Sequence, residues 1–244
     1  MSLHRSKTKL IALSVCLLFS VSSSFAQQRR APEGGPRAVV VDERLAALRD
    51  EPSLSANLLQ RMSRGRAVSV RGSKRAPDGV TFYRVMVTRR TGGWIQSEAV
   101  VSPARRDEDA RLLRLIQSSE DFDRVVRARI FLDVFPRSPL RPTVLMILGE
   151  EAEKSAAKLS RDAARRLDEK EMEAGGAPVF SYFLNFNGLD RYRRQGITFV
   201  FDRAAKQFHY DGAAWREILR RYPRSPEAET ARKRLDALAA VVTR

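Results

Sequence analysis

Gly65–Ile95 reads GRAVSVRGSKRAPDGVTFYRVMVTRRTGGWI, and this stretch decides the fold class. Val68 and Val70 alternate with Ser69, and Tyr83, Val85 and Val87 alternate with Arg84 and Met86. A two-residue period marks a strand with one buried face. Turn residues punctuate the runs: Arg64-Gly65, Pro77-Asp78-Gly79 and Thr91-Gly92-Gly93. Toward the N-terminus the same texture continues through Ala38–Val41 and Ala46–Leu48, followed by the turn Asp50-Glu51-Pro52-Ser53. Short apolar runs broken this often predict a small all-β barrel over residues 37–101.

The order of these landmarks resembles the bacterial SH3-like domain. Ala46–Arg49 with Pro52 matches its opening motif, and Leu58-Leu59 with Met62 its apolar stretch. Gly65, Val68 and Val70 match the "G-x-x-V-x-V" strand, Phe82–Val85 the "W-x-x-V" strand, and Gly93-Trp94-Ile95 the closing hairpin. Two positions depart from the pattern: Phe82 replaces the tryptophan, and Ala47 the opening valine. The resemblance implies recognition of a cell-wall peptide or a protein segment.

Beyond Ser102-Pro103 the period changes. Ala110, Leu112, Leu113 and Ile116 share one side at helical spacing, as do Val125, Val126, Ile130, Phe131 and Val134. Thr143–Leu167 predicts one long helix, Gly175-Gly176 a break, and 212–221 and 226–241 two more helices. Phe135-Pro136-Arg137-Ser138-Pro139 recurs as Tyr222-Pro223-Arg224-Ser225-Pro226, each after an amphipathic stretch. Proline cannot continue a helix, and serine followed by proline suits the start of the next, so each copy predicts a helix hairpin with a serine cap. The second copy, extended by Glu227, Ala228, Ala231, Arg234 and Leu235, resembles the turn of tetratricopeptide-like envelope proteins. The copies lie 87 residues apart, no multiple of the roughly 34-residue tetratricopeptide period. Residues 104–244 are therefore expected to form a degenerate helical-hairpin domain. Its insert, 177–211, holds the alternating run Ile197–Phe201, a turn at Asp202–Lys206 and Gln207–Tyr210, which predict a β-hairpin. The expected fold is thus multidomain α+β: a small SH3-like barrel, then an all-α domain carrying that insert.

At the N-terminus, Arg5, Lys7 and Lys9 precede the apolar run Leu10–Val21, and Ser24 and Ala26 stand before Gln27. This is the layout of a signal peptide over residues 1–26. The run of 12 residues falls short of the roughly 20 needed to span a bilayer. The lone Cys16 lies within it, preceded by Val15 where a lipid-attachment site wants a small residue. Gln27–Pro36 is polar and rich in Pro and Gly, and predicts a flexible leader. Cleavage leaves 218 residues without a thiol and lowers the formal net charge from +16 to +13 by removing three cations. Such a charge favours anionic partners, and outside the cytoplasm these are wall polymers, lipid headgroups or acidic proteins. Nucleic acid is not expected as a partner.

The residue inventory argues against catalysis. Without cysteine, the thiol route is closed. Only His209 survives export, and neither HExxH nor a His pair is present for zinc, so no metal or cofactor is expected. No G-x-S-x-G elbow raises a serine, and Glu150-Glu151 and Asp168-Glu169 lie among cations as solvated helix faces do. The candidate ligand contacts are Tyr83, Arg84 and Trp94 on the barrel, and Tyr182, Phe183, Arg191 and Tyr192 in the insert. The insert's aromatic cluster, which includes Phe180 and Phe186, reads first as core. The leading expectation is an exported envelope adaptor that binds a cell-wall peptide or an envelope protein. A basic binder of polyanions or membrane surfaces follows, and an accessory wall hydrolase stands last.

Overall fold

The computed structural model describes residues 34–242; the expected signal peptide and most of the leader lie outside the described residues. The alternating runs form β1 (Arg37–Val40), β2 (Ala47–Arg49), β3 (Leu58–Arg61), β4 (Ala67–Arg75), β5 (Thr81–Met86), β6 (Gly92–Gln96) and β7 (Val100–Val101). Every pairing is antiparallel, in the order β3-β2-β6-β5-β4-β1-β7. The end strands β3 and β7 do not pair with each other, so the sheet is open and no barrel closes. It nevertheless wraps around one core, because Met62 beyond β3 and Val100 of β7 share a cluster with Leu48, Val68, Tyr83 and Ile95. A register shift between Val70 and Gly72 leaves Arg71 unmatched and bends β4. Gly34–Pro36, assigned by composition to a flexible leader, lie against that strand: the Pro36 carbonyl accepts from Val70 N at 2.9 Å.

The helical stretches form α1 (Glu108–Gln117), α2 (Asp121–Val134) and α3 (Arg141–Arg166). Three short helices follow, α4 (Glu169–Gly175), α5 (Val179–Leu184) and α6 (Asp190–Arg193). The predicted hairpin is present as β8 (Phe199–Asp202) and β9 (Gln207–Tyr210), before α7 (Ala213–Arg221) and α8 (Glu227–Val242). The long helix expected over Thr143–Leu167 is α3, which stops at Arg166. Leu167 is extended, and the Asp168 carboxylate accepts from Lys170 N and Glu171 N to cap α4. The region between the echo copies is therefore mixed, with short helices beside the hairpin. No helix among the described residues is long and apolar enough to cross a membrane.

Both echo copies make helix turns, but the serines do not act as expected. Ser138 donates to Asp109 and accepts from Leu140 N, and α3 starts three residues later, with Leu140 at its cap. The Ser225 hydroxyl is buried without a partner. The two turns meet: Arg141 Nε donates to Tyr222 Oη at 3.0 Å, and Thr143 donates to Glu227 at 2.6 Å. α3 is the spine, packed against α2, α7, α8 and β9.

Sheet and helices share the larger core. Val39, Val41, Ala67 and Val101 cluster with Leu112, Val125 and Phe131 of α1 and α2. Buried Arg127 of α2 crosses the seam, donating to the Val41 carbonyl at 3.1 Å and to Ser119 Oγ. Arg64 pairs with Asp123 at 2.6 Å on its rim.

Candidate functional site

Directly opposed residues in an antiparallel ladder project to the same face, with Cβ atoms about 5 Å apart. Arg84 and Arg49 both oppose Trp94, and Leu58 opposes Arg49. Met86 opposes Gly92 across the same pair of strands and Ser69 on β4. Ser69 lies two residues from Ala67, which opposes Val39. One sheet face therefore runs from Val101 and Val39 through Ser69 and Met86 to Arg84, Trp94, Arg49 and Leu58. Helices α1 and α2 cover its first part and leave the rest accessible. Arg84 and Leu58 are exposed, and Trp94, Arg49 and Met86 half-buried. Phe82, two residues from Arg84 on the same face, is fully buried and marks the other limit.

In the ladder this accessible face sets Trp94 between Arg84 and Arg49, with Met86 and Leu58 on the same face. Arg49 Nη1 is engaged with the Ala56 carbonyl at 2.5 Å, which fixes the side chain and leaves donors of its five-N–H fork unused. The Arg84 side chain makes no hydrogen bond or ion pair among the described residues. Two arginines that flank a tryptophan on one sheet face suit a ligand that joins a carboxylate to an apolar or planar group. Gly92 makes room on this face, because a Cβ there would sit 2.6 Å from Met86 Sδ.

The predicted site residues divide sharply. Arg84 and Trp94 are brought together. Tyr83 points to the opposite face, into the smaller core, with the Arg105 guanidinium 5.1 Å above its ring. Phe183 is buried and stacks on Phe201 at 4.8 Å, and Tyr192 is 1% exposed. Arg191 lies 5.0 Å over Phe122 and 4.9 Å over Tyr192, occupied in packing. Tyr182 is half-buried and donates to the Met172 carbonyl at 3.2 Å. Tyr83, Phe183 and Tyr192 are thus core rings, because each strand or short helix turns them toward a neighbouring layer. Arg49, Leu58 and Met86 complete the face and were not among the candidate ligand contacts named from sequence. Arg49 stood within the matched opening motif, but only strand register places it beside Trp94.

Two other places hold polar groups. A cleft of about 320 Å³ between α3, α4 and the β8–β9 turn has Leu167, Met172 and Phe183 on its wall. Glu169 and Lys206, which also line it, pair at 2.8 Å. His209 Nδ1 lies 3.0 Å from Glu153 Oε1, while Glu153 Oε2 accepts from Tyr210 N at 2.7 Å, an anchor of the hairpin on α3. No group of three or more His, Cys, Asp or Glu side chains suited to a metal occurs among the described residues.

Together these define a mixed α+β protein with an open, aromatic and cationic sheet face. No family model, curated protein or solved structure matches the chain.

Proposed function

We propose that this chain is an exported, non-catalytic binding protein of the bacterial cell envelope. Strands β1–β7 serve as an SH3-like module that grips a cell-wall peptide or a protein segment, and the helical hairpins, tetratricopeptide-like in their turns, dock a protein partner. The observation that carries the reading is Trp94 set between Arg49 and Arg84 on the accessible part of the sheet. Wall peptides bear free carboxylates on short aliphatic chains, which matches paired guanidinium groups beside an indole and a leucine. The basic n-region and apolar run at the N-terminus support export.

The test is a titration of residues 27–244 with soluble wall peptides, read by tryptophan fluorescence. Trp94 is half-buried and Trp215 is 2% exposed, so ligand should alter the Trp94 emission alone. Trp94→Ala or Arg84→Glu should weaken binding by about tenfold or more. Unchanged affinity in both variants would remove the reading.

A second reading is favoured by a specific feature. Lys74, Arg75, Arg89 and Arg90 are exposed at the two ends of the β4–β5 pair and have no ion-pair partner among the described residues. Charge-driven attachment to an anionic surface predicts affinity that collapses between low and moderate salt and ignores Trp94.

A further inference from the structure

The outer edge of β3 is built unlike the sheet's other edge. Strand β7 is two residues long and both are buried. Strand β3 pairs on one side only, with β2, and Leu54, Leu58 and Leu59 on or beside it are 47%, 48% and 51% exposed. Folded proteins protect free edges by covering or charging them, because unpaired N–H and C=O groups flanked by apolar side chains recruit another strand. The β2–β3 hairpin also carries opposite charges at its two ends. The loop end holds Asp50 and Glu51, and the far end holds Arg61; the Glu51 and Arg61 side chains are exposed and unpaired among the described residues.

Strand β3 opens on Leu58 and Leu59 and closes on Arg61, with Glu51 in the loop before it, and this arrangement can complement itself turned through a half-circle. We infer that β3 pairs antiparallel with β3 of a second copy, about a two-fold axis normal to the sheet. Leu58 and Leu59 then pack on their counterparts, and Glu51 of each copy comes beside Arg61 of the other. Such a contact uses the same patch twice and closes at two copies. The axis also keeps equivalent faces on one side. Between the two Trp94 residues the strand order is β6-β2-β3 and its mirror sequence, five inter-strand spacings or about 24 Å. A polymer with repeating peptides would meet both faces at once and be held more tightly than a single peptide. That last consequence rests on the function proposed above; the pairing does not.

Sedimentation equilibrium of residues 27–244 tests it. The expected mass is twice that of the chain at high concentration, falling to one copy in Leu59→Lys. Arg61→Glu and Glu51→Arg should each weaken pairing by about tenfold, and the double variant should recover it. The charge exchange decides the matter if Leu59→Lys fails to fold by circular dichroism. A single-copy mass at every concentration would overturn the pairing, as would a dimer indifferent to all these changes. In Leu59→Lys, binding of one soluble peptide at Trp94 should persist while the tighter hold on intact wall is lost. A dimer that responds as expected but binds no peptide supports the pairing and counts only against the proposed ligand.

Discussion

Replacing Arg127 by methionine keeps the aliphatic stem in the seam between sheet and helices and removes the guanidinium. The lost contacts are the bond to the Val41 carbonyl at 3.1 Å and the bond to Ser119 Oγ. The ion pair with Asp123 is 3.9 Å long and half-exposed, and adds little. Hydrogen bonds from a charged donor contribute about 1.5–3 kcal/mol each, so the gross loss is about 3–6 kcal/mol. Burial, followed by the charge of Arg64, holds the Arg127 pKa below its ordinary value, so removing the cation relieves part of that cost. The net loss should be about 2–3 kcal/mol, or about 1 M in urea midpoint at an m-value of about 2–3 kcal/mol/M. The chain's two tryptophans make the assay specific: Trp94 reports the sheet and Trp215 the helical core. Urea unfolding of Trp94→Phe and Trp215→Phe backgrounds should give coincident midpoints, and Arg127→Met should lower both together. A loss below about 0.5 kcal/mol, or a shift seen by Trp94 alone, would refute the claim that sheet and helices are one cooperative unit.

Gly149→Val on α3 should cost about 2–4 kcal/mol in thermal or urea unfolding, because a Cβ there would lie 2.3 Å from Trp215 Nε1 and force the indole from its slot. Ser225→Ala should change stability by less than about 0.5 kcal/mol, since its buried hydroxyl caps nothing; a loss near 1 kcal/mol would restore the capping role. Arg44, bonded to Asp42 at 2.6 and 2.9 Å, holds that carboxyl below its ordinary value. Ionised Asp42 thus stabilises the fold fully above about pH 4, and the contribution fades as pH falls through the lowered folded value. Asp42→Asn should lower stability at neutral pH and flatten its decline in acid, measured by urea midpoints from pH 7 to 2.

What the sequence disclosed depended on periodicity. Tyr83, Val85 and Val87 alternate cleanly, and the strand that holds the first two forms with Arg84 facing outward. Leu58-Leu59-Gln60-Arg61 does not alternate, because a register shift at Arg49 inserts Leu59, so the edge strand was readable only as an apolar stretch. Phe82 showed another limit: alternation assumes one wet face, and this sheet is covered on both sides over part of its area. The end of α3 was legible to within one residue, while the short helix after it had a local signal in Asp168 followed by Glu171, an aspartate three residues before a glutamate, in a segment too short to show a period. The seam could not be read at all. Val39 and Val41 belong to one core while Ala38 and Val40 belong to the other. Four consecutive small apolar residues carry no mark of which neighbour each will meet. The candidate site was legible to the same degree: Arg84 and Trp94 from their types, Arg49 and Leu58 only through register.

The slot that Gly149 opens for Trp215 is filled by a residue sixty-six positions later in the chain. A polypeptide emerging N-terminus first completes all seven strands of its sheet by Val101, yet α3 has no wall on that side until α7 arrives. Nascent or truncated chains that stop short of Trp215 therefore expose an apolar trough along a finished helix. Such species are natural clients for holding chaperones and early targets for proteases.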